Sequence, residues 1–167
     1  IIVSTDDHKY LASAQKGGIK TQKLRPKNLA SGKALIIDVV EHELKEFSFN
    51  SPLNFREIKY LLILEPSHFG SRLNIENAIY FLDNNNHYNS AFGVYQVPRV
   101  FNFQKQYCLN KGVATAVSTV SNYNRQELQN SFIRSGEFYL SRLHAYIDQQ
   151  SLMPEPMHIF ETERNSV

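Results

Sequence analysis

The sequence has little of what marks several protein classes. It contains one cysteine, Cys108, in 167 residues. An internal disulfide is therefore excluded, and a reducing, cytoplasmic setting is the expectation. No apolar run approaches the roughly 18 residues that a membrane-spanning helix requires, so no membrane partner is expected. Long blocks of like charge are missing too. Eighteen basic and 16 acidic residues are interspersed to a net charge of +2, which excludes an obvious nucleic-acid footprint. The six histidines do not fall at a metal-ligand spacing such as two on one helix face, and no metal ligands are expected within the chain. There is no glycine-rich phosphate loop and no nucleophile elbow, and the pattern singles out no catalytic residue.

What is present describes a globular chain. A hydrophobic fraction of 42% with 20% charged residues suits a folded domain, and the length suits one domain rather than two. Short apolar runs alternate with amphipathic stretches, which predicts an α/β fold. Ile1-Ile2-Val3-Ser4 reads as a strand, one that rarely opens a natural protein and so belongs to a longer chain. Thr5-Asp6-Asp7 reads as the cap of a helix running through Leu11 and Ala14 to Gly17-Gly18. A short strand is predicted over 19–24, ended by Arg25-Pro26. Ile36, Ile37, Val40 and Leu44 form a helical stripe over 33–47, with a loop over 48–57. Tyr60-Leu61-Leu62-Ile63-Leu64 is apolar on both faces, which suggests a central parallel strand. Ile75, Ala78, Ile79 and Leu82 mark another helix. Strands are expected over 90–97, 136–140 and 157–161, with a helix over 141–149. Residues 98–131, aromatic and then polar, show weak periodicity and read as an excursion from a single domain spanning 1–167.

In open parallel sheets, ligands gather at the carboxyl ends of strands. That rule nominates residues 4–7, Arg25-Pro26, 65–72 and 134–139. Each also has a plain reading: a helix cap for Thr5-Asp6-Asp7, a surface arginine for Arg25, a strand stop for Glu65-Pro66, and an ordinary solvated side chain for His68.

The ordered motifs go further. Ile2-Val3-Ser4-Thr5-Asp6-Asp7, then Leu24-Arg25-Pro26-Lys27-Asn28-Leu29-Ala30-Ser31, then Ile37-Asp38-Val39-Val40-Glu41-His42 follow one another. Leu62-Ile63-Leu64-Glu65-Pro66-Ser67 comes next, then Asn124-Arg125-Gln126-Glu127-Leu128, Phe132 and Ser135-Gly136-Glu137-Phe138-Tyr139. In order and spacing this series resembles the CMP-sialic acid synthetase (acylneuraminate cytidylyltransferase) family, with its "STD", "RP-x-x-LA-S", "LLQPTSPLR" and "PRQ-x-LP…F-x-x-NGAIY" segments. Glu163-Arg164-Asn165-Ser166-Val167 is similar to the lead-in to the family's "S-I/V-D-I-D" motif. Residues from about 99 to 121 match poorly.

The resemblance implies a three-layer α/β/α Rossmann-like nucleotidyltransferase sheet with a small dimerisation excursion, here 98–131, that reaches the partner's site in a homodimer. It implies condensation of a nonulosonic (sialic-type) acid with CTP to a CMP-sugar and pyrophosphate. Arg25 and Ala34 would then line the cytidine, and Glu65, Arg125, Ser135 and Tyr139 the sugar. An arginine at 125 suits a carboxylate, which its planar fork grips in a bidentate pair. Magnesium (Mg2+) is implied as well, on aspartates expected after Val167, while a phosphate loop with its lysine is expected before Ile1. The chain departs from the pattern on the ligand side. Glu65 stands for a glutamine, Gly32 for an aspartate, Ile36 for a serine and Ser135 for an asparagine, and residues 67–72 carry one extra residue. These changes point to a different sugar substituent, or alternatively to a non-catalytic relative that binds nucleotide, sugar or a protein partner.

Overall fold

The computed structural model describes residues 1–19, 23–50, 57–65, 72–118, 124 and 126–162. The chain divides into two compact units, Ile1–Lys59 with Gln150–Leu152, and Tyr60–Gln149 with Met153–Val167.

In the first unit, α1 spans His8–Lys16. The predicted cap is the one observed. The Asp7 carboxylate accepts the Lys9 N–H at 2.6 Å and the Thr5 hydroxyl accepts the Asp7 N–H at 3.1 Å, satisfying donors that a helix start leaves open. The helix closes at Gly17, whose N–H reaches the Ser13 carbonyl at 3.0 Å. A 3-10 turn over Lys27–Leu29 leads towards α2, Ile36–Asn50. This helix starts and ends three residues later than its apolar stripe suggested. Nothing in Ser48-Phe49-Asn50 forbids helix, and Pro52 is the first residue that does.

Residues 1–5 do not form the expected strand, and neither do Ile19, Lys23 and Leu24, the described part of the segment 19–24. β-branched residues favour extended backbone, but a strand exists only with a ladder beside it. The backbone bond described for the first segment is from Arg25 N–H to the Thr5 carbonyl at 2.7 Å.

The second unit is built on a four-stranded sheet in the order β1-β5-β2-β6, with β1 at Tyr60–Ile63, β2 at Ser90–Gln96, β5 at Phe132–Arg142 and β6 at Met157–Glu161. β5 runs antiparallel to both β1 and β2, and β6 lies parallel to β2. β1, β2 and β6 therefore point the same way, and their carboxyl ends share one end of the sheet. The expectation of a central parallel strand at Tyr60 needs correction. β1 is an edge of this sheet among the described residues, with an antiparallel neighbour, and Leu62 is 38% exposed. An unbroken apolar run reports cover on two faces; it does not report rank in the sheet.

Helix α3, Arg72–Asn84, lays the buried Ala78 and Leu82 against Ala91, Phe138 and Leu140. On alternate positions of the same strands, Phe92, Val94 and Tyr139 pack with Ile63, Met153 and Met157. Successive residues of a strand face opposite ways, so these are the two faces of one sheet. Arg142 ends β5 and α4, Leu143–Gln149, follows directly and packs on β5 and β1. The excursion holds two 3-10 turns, Arg99–Phe101 and Phe103–Lys105, and a hairpin of β3, Tyr107–Asn110, with β4, Val113–Ala116.

Candidate functional site

The site residues nominated from sequence fall into separate groups. Arg25 and Ala34 belong to the first unit; Glu65, Ser135 and Tyr139 belong to the second. Arg125 lies outside the described residues, as do His68, all of the stretch 67–72 with its extra residue except Arg72, and the segment 163–167.

Arg25 is half-buried and already engaged. Its Nε donates to the Ser4 hydroxyl at 3.1 Å and its Nη2 to the Ser4 carbonyl at 2.6 Å. The Ser4 hydroxyl in turn donates to Glu43 Oε1 on α2 at 2.5 Å. A charge-assisted chain of this kind fixes three segments at once: the start of the chain, the loop before Pro26 and α2. Ala34 is half-buried in the turn before α2, its N–H on the Ser31 carbonyl at 3.0 Å. A Cβ added at Gly32 would meet open space, so loss of the family's aspartate there is not forced by packing.

The second group is more informative chemically. Ile63 pairs across the sheet with Tyr139, and Phe92 pairs with Tyr139 from the other side. Tyr139 is 8% exposed, with its ring 6.4 Å from that of Phe92. Glu65 follows the carboxyl end of β1 by two residues and is hydrogen-bonded to the Tyr139 side chain. A carboxylate has only acceptors, so the phenol is the donor. Burial above all, then the charge of Glu65 and this hydrogen bond, raise the Tyr139 phenol above its ordinary value, while Arg134 nearby opposes them. Glu65, Tyr139 and Arg134 thus form one interacting cluster. Tyr139 was legible in the motif. Arg134 opens the nominated stretch 134–139 but is given no role there, and its share in this cluster is seen only in the fold.

Ser135 has a local task. Phe92 pairs with Tyr139 and Val94 with Arg134, so Gly93 alone faces residues 135–138. β5 swells here into a wide bulge. Gly136 turns it with φ +77°, a backbone that side chains rarely tolerate. The Ser135 hydroxyl, 2% exposed as a residue, accepts the Glu137 N–H at 3.3 Å. Gly93 is required by the same bulge: a Cβ there would stand 2.5 Å from Ser135 Oγ and 3.2 Å from Thr162 Cγ2.

Two further features escaped the motif reading. Glu137 is only 4% exposed, and its Oε2 is buried without a hydrogen-bond partner among the described residues. A glutamate in the midst of an apolar strand run was the available signal. The other is a cavity of about 370 Å3 past the carboxyl end of β2, lined by Gln96, Val97, Pro98, Arg99, Asn102, Gln129 and Asn130. Its polar residues are far apart in sequence, and only the fold gathers them.

Among the described residues no group of three or more His, Cys, Asp or Glu side chains is placed to hold a metal ion. Nor does any described helix have the length and apolarity to cross a membrane.

No family model and no curated protein sequence matches this chain. Among solved structures it is similar to CMP:2-keto-3-deoxy-manno-octonic acid synthetase complexed with CTP, with a TM-score of 0.55 and 15% identity over 96% of this chain and 71% of that one. At such identity the likeness speaks for the fold. The chain shares the mixed α/β fold of that structure, the class its alternating apolar and amphipathic stretches implied.

Proposed function

We infer that this protein is a cytidylyltransferase that activates a nonulosonic-type sugar acid with CTP. The anomeric hydroxyl oxygen attacks the α-phosphorus of CTP, the bond from that phosphorus to the bridging oxygen breaks, and pyrophosphate leaves as the hydroxyl gives up its proton. The observation that carries the reading is the cluster of Glu65, Arg134 and Tyr139 at the carboxyl end of β1, on a fold shared with a synthetase solved with CTP. Such chemistry asks for positioning and charge neutralisation more than for a nucleophilic side chain.

In this reading Arg134, with Arg125 from the resemblance, faces the sugar carboxylate. Glu65 commits the phenol proton of Tyr139, leaving the phenol oxygen to accept from a hydroxyl or N–H of the sugar. Arg25 and Ala34 support the cytidine side, Arg25 by holding the segment at Ser4. Magnesium would serve as the charge-neutralising ion, and the homodimer would form through the excursion at 98–131.

The test is pyrophosphate release by the full-length protein with CTP, magnesium and a panel of 2-keto sugar acids. Release with at least one acid, and with CTP in preference to other nucleoside triphosphates, is expected. Glu65→Gln should change the ratio of kcat/KM between two acids by about tenfold, the size of one gained or lost hydrogen bond. No release with any acid would remove the reaction and favour a non-catalytic relative.

A further inference from the structure

The proposed reaction leaves one proton without a destination. The anomeric hydroxyl must lose it as its oxygen bonds to phosphorus, and a positioned base makes that loss far easier. The described residues packed around Tyr139 offer few acceptors. Phe92, Val94, Ile63, Met153 and Met157 bring no ionisable group. On β5, Arg134 and Arg142 are cations and Glu137 is shut in. Helix α4 brings His144 and Asp148, but it springs from Arg142, opposite Tyr60 at the amino end of β1. Glu65 stands at the other end of that strand.

The carboxyl ends of β1, β2 and β6 share that end, where α/β sheets gather their ligands. Ile63 closes β1 there, paired with Tyr139, and Glu65 follows two residues later. The Tyr139 phenol donates to the Glu65 carboxylate, and a hydroxyl that donates still has lone pairs with which to accept. Burial first, then the Glu65 charge, holds the phenol neutral. A phenol kept neutral is no base by itself. It takes a second proton only while giving its own away, and its own is already aimed at a carboxylate. Arg134, the cation beside the pair, eases the negative charge that crosses the phenol oxygen between the two transfers.

The residue type at 65 decides what this pair can do. In the family that the chain resembles, a glutamine stands at the place of Glu65. Its amide oxygen accepts from a phenol as a carboxylate does, but an amide does not keep a transferred proton near neutral pH, whereas a carboxylate does. We propose that Tyr139 and Glu65 form a proton relay for the transfer step, with Glu65 as its terminal base. The anomeric hydroxyl passes its proton to Tyr139 Oη as the anomeric oxygen bonds to the α-phosphorus. Tyr139 passes its own proton to a Glu65 carboxylate oxygen, the bridging P–O bond breaks, and pyrophosphate leaves with that electron pair. Glu65 then releases its proton to water, and the phenol turns back to the carboxylate. The relay rests on the cytidylyltransferase reading for the hydroxyl that reacts; the pairing of phenol and carboxylate does not depend on it.

The experiment is rapid-quench single turnover by the full-length protein with radiolabelled CTP and magnesium. Each 2-keto sugar acid of the pyrophosphate panel is used in turn at saturation, 2-keto-3-deoxy-manno-octonic acid and N-acetylneuraminic acid among them. Glu65→Gln should slow the saturated step by about 100-fold or more with every acid that reacts, the lower bound for a lost general base. The shift in ratio between acids comes on top of that common slowing. Tyr139→Phe should slow the step by a similar factor. The double variant should be no slower than the slower single one, since residues that act as one unit do not add. The parent's rate should bow downward against the deuterium fraction of the solvent, as two protons moving together require. Glutamine keeps the size of Glu65 and an acceptor for the phenol, so the melting temperature should stay at the parent's value and separate a lost base from a lost fold. The relay is overturned if Glu65→Gln slows the saturated step less than this, if it weakens only sugar affinity, if the two single losses multiply in the double variant, or if the deuterium plot is straight. Turnover by the parent with any of these results removes the relay alone. No turnover by the parent with any acid removes the cytidylyltransferase reading, and the relay with it.

Discussion

Two buried charges on β5 meet opposite fates. The Arg142 residue is 7% exposed and its guanidinium is well supplied: Nε donates to the Tyr88 carbonyl at 2.9 Å, and Nη2 donates to the Leu82 carbonyl at 2.5 Å and to Asn86 Oδ1 at 3.4 Å. The guanidinium also lies 5.8 Å from the centre of the Tyr60 ring. It thus takes a carbonyl that the end of α3 leaves open and stitches it to the turn before β2. Glu137, five residues earlier, keeps Oε2 buried without such help. Leaving a buried polar atom unpaired costs about 1–3 kcal/mol, more for a charged one. Glu137→Ala, which restores the residue of the "NGAIY" pattern, should therefore raise the unfolding free energy by about 1 kcal/mol or more, despite the space it opens. Arg142→Ala should lower it by about 1–3 kcal/mol for each buried carbonyl it leaves without a donor. Urea denaturation of both variants checks the pair. If Glu137→Ala is as destabilising as an ordinary core truncation, the carboxylate has a partner in solution.

At the scale of elements, β6 was fully legible and its environment was not. Met157–Glu161 appears where the short apolar run predicted. Alternation along the strand could not reveal that His158 stacks on Phe81 of α3 at 3.9 Å, with Tyr88 and Phe160 edge-on at 5.4 and 5.0 Å. Phe81 and Tyr88 come from a helix and a turn some 70 or more residues earlier, while Phe160 is two residues along β6 itself. Burial among the rings lowers the His158 pKa below its ordinary value. The sign follows from proton binding: between the lowered folded value and the ordinary unfolded one, the unfolded chain holds more protons. This histidine's contribution is therefore complete above about pH 6.5 and fades as pH falls below it. His158→Phe keeps a ring against Phe81 and removes the proton. Its melting temperature should exceed the parent's at pH 5.5, and the gap should narrow by pH 8. A gap independent of pH would show that the imidazole titrates equally in both states.

The elements also show where sequence reasoning stops. Helices α1, α2 and α3 carry their own signals, a cap or a 3.6-residue stripe, and each appears near its expected place. Strands are completed by partners, and periodicity does not name partners. Hence Ile1-Ile2-Val3, as β-branched as any strand here, forms none, and Tyr60–Ile63 joins an antiparallel neighbour at an edge. The site divides along the same line. Tyr139 and Glu65 stand in contiguous motifs and were readable. Arg134, Glu137 and the Arg99 cavity depend on a bulge and on a return of the chain that motif spacing does not encode.

For the whole molecule, the excursion raises the question of what covers it. Tyr107 pairs with Ala116 and Leu109 with Ala114 across the hairpin, so those four residues share one face. That face is apolar throughout, and every residue on it is exposed, Tyr107 by 71% and Leu109 by 76%. Val100 and Phe101, in the turn before the hairpin, are exposed by 67% and 65%. A two-stranded hairpin alone is marginal in water, and an apolar patch of this kind marks a surface that buries itself elsewhere. The second copy proposed above supplies such a cover, since a two-fold interface sets the same patch against itself. Leu109→Asp places a charge in the middle of that face and should convert a dimer into a monomer at micromolar concentration, as read by light scattering on a sizing column. Leu109→Met, which keeps the apolar volume, should leave the dimer intact. The parent chain eluting as a monomer would deny the interface outright. A dimer that survives Leu109→Asp would move it to another surface and leave this hairpin face without a cover.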